Sequence, residues 1–236
     1  MLLELLAANL VICLAALLQA ATGAGYAMVA VPVLALIDLA WVPAPMLISN
    51  LALSAVMMRR GRAALERAEL PPLALGLVLG TAVGAGLLAA IAGRGLGGLI
   101  GGIIVAAVLA SLVTPALRIT RARVFCGAVV GGATGVIAAM HGPPLILLYQ
   151  REHPEKVRAT LAGVFLFGSV LALGALWAAG LLGAGDLWRG AALLPGVGLG
   201  FVAGRALAGR LSRRVVRGAM LSVAGVAGMT LLIRAL

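Results

Sequence analysis

Charged and aromatic residues are scarce in this chain of 236 residues. Only 11% of the residues are charged and 4% are aromatic, whereas 63% are apolar and the mean hydropathy is +1.17. A soluble domain averages about 45–50% apolar and about 25% charged residues. The composition therefore argues against a water-soluble enzyme, a disordered regulator and a free nucleic-acid-binding domain. The few aromatics and the lack of strict alternation argue against a transmembrane β-barrel.

Residues for catalysis and metal binding are also few. The two cysteines, Cys13 and Cys126, lie in apolar runs without disulfide or metal-ligand spacing. The seven acidic residues lie near predicted loops or termini, and no HExxH, GxSxG or P-loop motif is present. The sequence therefore predicts that the chain is not an enzyme and carries no metal or other cofactor.

Long apolar runs dominate what is present. The start, MLLELLAANL, has no positive charge and is interpreted as a retained helix rather than a cleaved signal. A membrane-crossing helix needs roughly 20 residues, so the pattern predicts an all-α polytopic membrane protein in the lipid bilayer. Ten apolar segments can be distinguished, at residues 2–21, 24–38, 42–58, 70–92, 95–117, 124–140, 142–150, 157–181, 188–206 and 215–234.

The positive charges fall in four clusters, after the third, fifth, seventh and ninth segments. If each segment reverses direction, all four clusters lie on one side, which the positive-inside rule makes cytoplasmic. The prediction is a bacterial inner-membrane protein with both termini outside and no nucleic-acid partner. The clusters are Arg59, Arg60, Arg62 and Arg67; Arg118, Arg121 and Arg123; Arg151, Lys156 and Arg158; and Arg205, Arg210, Arg213, Arg214 and Arg217, leaving Arg94, Arg189 and Arg234 on the other side.

Weak internal repeats divide the chain into two halves. Ala21-Thr22-Gly23 matches Ala133-Thr134-Gly135 at an offset of 112 residues, and a glycine stripe at residues 76–84 matches one at 196–204 at an offset of 120. Because each half holds about five segments, an odd number, the second half enters the membrane from the opposite side. We expect two inverted-topology repeats, 1–117 and 118–236, in a single membrane domain, as in many secondary transporters.

Two places interrupt the helical pattern, near residues 22–25 and 134–144. We expect broken or re-entrant helices at both, and the sequence leaves open which of the two forms they take. Irregular backbone at membrane depth is tolerated only inside protein or beside a water-filled cavity. Paired interruptions in two halves therefore point to a transport site.

A helix that begins inside the membrane offers free N–H groups to an anion. The candidates are the N–H groups of residues 24–26 and 136–137, with two threonine hydroxyls and with glycines that permit close approach. The alternative is that these glycines only allow tight helix packing. The predicted substrate-binding residues are Thr22, Gly23, Ala24, Gly25, Tyr26, Asn50, Thr134, Gly135, Val136, His141 and Gly142.

Three polar residues have two interpretations each, and a fourth, Gln19, has one. His141 has an ordinary pKa near about 6.5 and suits proton coupling, or it caps a helix end. Asn50 contacts the ligand or a neighbouring helix. Arg158 is a candidate gate at the cytoplasmic mouth of the path, or it pairs with Glu155. Gln19 flanks the first interruption and is a weaker candidate.

Three stretches resemble the TauE/SafE sulfite exporter family, also called the 4-toluene sulfonate uptake permease family. They are ATGAGYAMVAVPVLALI in the first half, TGVIAAMHGPPLILLY in the second, and HPEKVRATLAGVFLFGSVLAL, the most specific of the three. The resemblance spans almost the whole chain. The chain departs from the usual glycine run at Ala24 and Tyr26, and at Met140 and His141, where the family commonly has glycine.

The resemblance implies export of sulfite, organosulfonates or related sulfur anions, coupled to an ion. Alternating access of the two halves would follow from the repeats. Two alternatives remain: a carrier of the same fold for another small anion such as a carboxylate, and a membrane scaffold subunit without transport. The sequence also leaves open whether the chain works alone or as a homodimer.

Overall fold

The computed structural model describes residues 2–61, 67–91, 95–113, 118–149, 152–210 and 212–235. These ranges are helical, without a strand, and short 3-10 turns lie at Leu39–Trp41 and Arg67–Glu69. Arg62, Arg94, Arg151 and the expected repeat boundary at residue 117 lie outside the described residues. The helices are α1 (Leu2–Thr22), α2 (Tyr26–Ile37), α3 (Ala44–Gly61), α4 (Leu70–Ile91), α5 (Leu96–Val113), α6 (Arg121–Ala138), α7 (Gly142–Tyr149), α8 (Pro154–Ala178), α9 (Ala184–Ala192), α10 (Leu194–Ala206) and α11 (Arg213–Ala235).

Eight helical stretches in the described ranges are long and apolar enough to cross a bilayer. One of them, Ala184–Ala206, combines α9 and α10. The all-α polytopic prediction is therefore confirmed. At 1.5 Å per residue, α2 spans about 18 Å and α7 about 12 Å, well short of the roughly 30 Å hydrocarbon core. Each short helix follows a helix that is long enough to cross, and the two are separated by an interruption of three residues.

Two glycine seams hold the bundle together. Gly76, Gly80 and Gly84 of α4 lie against the backbone of α6, and Gly196, Gly200 and Gly204 of α10 lie against that of α1. A Cβ added at Gly76 would come within 2.6 Å of the carbonyl oxygen of Phe125, so a side chain there would push the helices apart. Small residues allow such close approach between membrane helices. The stripes therefore pack helix against helix, and each seam joins an N-terminal to a C-terminal helix.

The helix ends on either side of the two interruptions are 116 residues apart, whereas the Ala-Thr-Gly tripeptides are 112 apart. The first helices end at Thr22 and Ala138, and the short helices begin at Tyr26 and Gly142. The seams agree, because the carbonyls of Cys13 and Val129 face equivalent glycines, Gly200 and Gly80. The matching Ala-Thr-Gly tripeptides are thus one helical turn out of register, since Thr134 lies one turn before the end of α6.

Contacts sort the helix ends into two layers. Lys156 at the start of α8 pairs with Glu69 at the start of α4 at 3.1 Å and with Glu152 at 3.2 Å. In the same layer Tyr149, at the end of α7, donates its hydroxyl to Glu69. We call this layer, which holds the starts of α4 and α8 and the end of α7, the basic end of the bundle. At the opposite end Arg234 of α11 donates to the carbonyl of Leu36 at 3.5 Å.

Candidate functional site

The first interruption is a three-residue turn between α1 and α2. Gly23 and Gly25 have φ angles of 91° and 111°, in the left-handed region that favours glycine. The N–H of Gly23 donates to the carbonyl of Gln19 at 2.7 Å, which closes the last turn of α1. The helix that follows therefore starts abruptly, with the N–H groups of its first turn free of intrahelical partners.

The second interruption lies at residues 139–141, between α6 and α7. Ala139 takes the left-handed conformation, with φ 54°, and its N–H donates to the carbonyl of Thr134. The N–H groups of residues 136 and 137, which were candidates for anion binding, lie inside α6. Thr134, Gly135 and Val136 are interior to α6, whose N–H groups serve the helix itself.

Both threonine hydroxyls serve the broken backbone. Thr22 Oγ1 lies 2.8 Å from the carbonyl oxygens of both Leu18 and Ala24. Thr134 Oγ1 lies 2.6 Å from the carbonyl oxygen of Met140 and 3.0 Å from that of Val130. Ala24 and Met140 are equivalent at the offset of 116. The two hydroxyls therefore stabilise equivalent carbonyls from positions one turn apart.

The two short helices differ in the N–H groups that they expose. At the start of α2 the N–H of Tyr26 donates to Gln19 Oε1 at 3.3 Å, and those of Ala27 and Met28 meet no acceptor among the described residues. In α7 the second and third residues are Pro143 and Pro144. Because proline has no N–H, α7 offers little beyond the N–H of Gly142.

His141 is buried at the tip of the second interruption, with 1% of its surface exposed. Its imidazole lies between two glycines, Gly135 of α6 and Gly168 of α8, where any side chain would overlap the ring. Neither ring nitrogen has a well-formed hydrogen bond among the described residues, and the backbone of Gly168 is the polar group beside it. His141 could be predicted as a site residue from the sequence, but its packing between Gly135 and Gly168 could not.

Asn50 and Tyr26 fix α3 beside the interruptions. Asn50 Nδ2 lies 3.4 Å from Ser169 Oγ of α8, and its Oδ1 accepts from Ser54. The Tyr26 hydroxyl donates to Ser49 Oγ at 2.7 Å and so faces α3 rather than the interruption. Asn50 therefore bonds a neighbouring helix, and it also lines the cavity described next.

A small cavity lies where the two interruptions meet. Its volume is about 10 Å³, room for a single water molecule. Both interruptions contribute, and so do α1, α3 and α8. The lining residues are Gln19, Gly25, Ala27, Met28, Asn50, Ala139, His141, Gly142, Pro143, Ile146 and Phe165. Among the predicted site residues, the structure thus brings together Gly25, Asn50, His141 and Gly142.

Arg158 lies against the first interruption. A Cβ added at Gly23 would lie 3.2 Å from Arg158 Cα and would overlap the base of its side chain. The alternative pairing with Glu155 is not formed among the described residues, where the ion pairs of this region belong to Lys156. The base of the Arg158 side chain therefore packs against the turn that borders the cavity.

A comparison with models of known families matches residues 8–231 to the model described as Sulfite exporter TauE/SafE. The chain belongs to the TauE/SafE sulfite exporter family. The comparisons with curated proteins and with solved structures found no match. Membership confirms the resemblance and makes the chain a multi-pass membrane protein of a transporter family, with small sulfur-containing anions as the substrate class of the family.

The three stretches that carry the TauE/SafE resemblance converge in space. The first spans the turn before α2, the second spans the turn before α7, and the third begins α8 beside Gly23. Gln19 lies outside all three, yet it lines the cavity and is 1% exposed. The sequence signal for it was a buried amide shortly before an interruption, which is weak by itself.

Proposed function

We propose that the chain is a secondary transporter that exports small sulfur oxyanions such as sulfite or an organosulfonate. The central cavity is the observation that carries the proposal. Among the described residues, its unpaired polar groups are Gln19 Nε2, the His141 imidazole and the N–H groups of Ala27 and Met28. No carboxylate lines it among the described residues. Donors at a helix N-terminus favour an anion, and family membership supports sulfur as its central atom.

We propose alternating access to this cavity. A volume of about 10 Å³ is too small for sulfite, so binding requires one side to open. At the basic end Glu69, Glu152 and Lys156 tie α4 to the start of α8. At the opposite end a cavity of about 450 Å³ lies among α3, α4 and α8. A further cavity of about 490 Å³ lies among α3, α4 and α8 toward the basic end, so open space is present toward both ends of the bundle.

The moving parts in this proposal are not the two sequence halves. The glycine seams fix α1 to α10 and α4 to α6, and each pair combines both halves. Backbones in such close contact cannot slide without separating. We therefore propose that the two seam pairs move as units against α3 and α8, with the halves related as inverted repeats.

The basic end is proposed to face the cytoplasm, with both termini outside, because the positive-inside rule places arginine-rich loops there. Arg158 would then attract the anion from the inner side and act as a gate near Gly23. His141 would carry the coupling proton, since it is the ionisable side chain lining the cavity among the described residues.

The test is sulfite flux in proteoliposomes that hold the purified protein, compared with empty liposomes, with and without a proton gradient. We expect flux that the gradient accelerates and that excess methanesulfonate inhibits more strongly than acetate. Sulfite flux that does not respond to the gradient would refute proton coupling but would leave sulfite as the substrate. Stronger inhibition by acetate would favour a carboxylate carrier, and no flux of any anion would favour a scaffold.

A further inference from the structure

Gln19 is a buried amide with one satisfied end. Its Oε1 accepts the N–H of Tyr26 at 3.3 Å, whereas its Nε2 has no hydrogen-bond partner among the described residues. The side chain is 1% exposed and lines the central cavity. A buried amide donor left unpaired carries a desolvation penalty. The hydrogen bond at the other end of the amide, from the Tyr26 N–H to Oε1, holds the side chain in this position despite the penalty.

The bond to Tyr26 determines which end of the amide enters the cavity. An N–H can donate only to the oxygen of an amide, so Tyr26 selects Oε1 and turns Nε2 away. The cavity therefore receives a donor rather than an acceptor. The free N–H groups of Ala27 and Met28 belong to the same helix start, and both residues line the same cavity.

We infer that Gln19 binds the transported anion directly through Nε2 and sets the selectivity of the cavity for anions. The inference rests on the proposed function and deepens it. One oxygen of the anion accepts from Nε2 while other oxygens accept from the start of α2. Since the neutral amide adds no formal charge, the bound anion is stabilised by oriented donors alone at this wall.

The test replaces the donor Nε2 of Gln19 and keeps an acceptor oxygen in the place of Oε1. Gln19→Glu preserves an oxygen for the Tyr26 N–H and replaces Nε2 with a second, negatively charged oxygen. We expect sulfite affinity to fall at least about 10-fold, because a hydrogen bond to a charged ligand is lost. The readouts are equilibrium binding of sulfite and the sulfite-dependent shift of Tm in detergent.

Asn9→Asp is the matched control. Asn9 is an amide on the same helix, but it bonds the carbonyl of Ala192 and the N–H of Gly196 and lies outside the cavity. We expect this variant to lower the ligand-free Tm and to leave sulfite affinity within about twofold. Gln19→Leu, which removes both ends of the amide, carries the test if Gln19→Glu does not fold.

The outcomes separate this inference from the proposed function. If Gln19→Glu binds sulfite with wild-type affinity, the role of Nε2 is overturned and Gln19 is only a cap for α2. The same result in Gln19→Leu has this meaning where that variant carries the test. If the wild type binds acetate but not sulfite, the sulfur assignment fails, and the same variants test Gln19 with acetate. No binding of either anion by the wild type would overturn both.

Discussion

The two interruptions share a backbone course but differ in chemistry. The first uses two left-handed glycines and leaves N–H groups open at the start of α2, whereas the second uses Ala139 and begins α7 with two prolines. The second instead brings the His141 side chain to the cavity. One side of the site is therefore backbone, with fixed donors, and the other is a side chain that can change its protonation. A similar backbone course at the two interruptions therefore does not make the two sides of the site chemically alike.

Replacing His141 tests the chemical side of this comparison and should have the largest effect. His141→Gln keeps a polar group but cannot carry a proton at physiological pH. We expect sulfite flux driven by a proton gradient to fall about 100-fold, in the range typical of lost proton transfer. Flux is measured in proteoliposomes with and without the gradient.

His153→Gln is the control, since His153 is exposed at the start of α8 and makes no side-chain cap. Its flux should match the wild type. If His141→Gln keeps both its rate and its response to the gradient, the proton role is refuted and the asymmetry is only structural.

Replacing Gly23 tests the backbone side. In Gly23→Ala the side chain would sit at a φ of 91° and overlap Arg158. We expect a loss of at least about 2 kcal/mol in the free energy of unfolding, from backbone strain and overpacking together. Unfolding is followed in detergent by denaturant titration. Gly86→Ala is the control, because a Cβ there meets nothing within 4 Å; equal stabilities would contradict the prediction.

Removing the threonine hydroxyls tests the likeness of the two interruptions. Thr22→Val and Thr134→Val each delete a bond to an equivalent carbonyl, and each should lower stability by about 1 kcal/mol. Sulfite affinity should stay unchanged, because the hydroxyls face backbone. Thr230→Val is the comparison variant, since within the described part of the chain Thr230 bonds its own helix at Val226 and no other helix. A tenfold loss of affinity at unchanged stability would instead make the hydroxyls ligands.

Relaxing Ala139 has the smallest expected effect and the opposite sign. Ala139→Gly removes a Cβ from a left-handed residue, which should raise stability by less than about 1 kcal/mol after the greater chain freedom of glycine is counted. Thermal unfolding measures the change. Ala179→Gly, at a right-handed position with φ −82°, should not gain stability. Destabilisation of both variants alike would show that Ala139 is not strained.

Much of the fold could be predicted from the sequence because hydropathy and small-residue spacing act locally. The crossing helices follow from apolar length, and the glycine stripes follow from the need of helices such as α4 to approach a neighbour closely. The positions of the two interruptions could also be predicted, since Gly23 and Gly25 lie at the first and Gly142 follows the second. The family could be identified from motifs around the same turns.

The register and the orientation of side chains could not be predicted. The tripeptides at Thr22 and Thr134 match in letters, yet the helix ends are set by left-handed residues and by seam contacts that only the folded chain provides. For the same reason the N–H of Val136 was a candidate for anion binding, although Val136 lies inside α6 and the short helix begins at Gly142. The importance of Gln19 depends on which end of its amide meets Tyr26, and a sequence carries no such information.

The glycine seams also constrain how the protein is made. The helix α1 is synthesised before its seam partner α10, and α4 is synthesised before its partner α6. The seam surfaces of α1 and α4 therefore have no partner when these helices first enter the membrane. An early helix such as α4 must wait in lipid with Gly76, Gly80 and Gly84 uncovered. Translation that stops after the first half would leave a product without either seam, which quality-control proteases should remove. Completion of the chain is thus itself a step in folding.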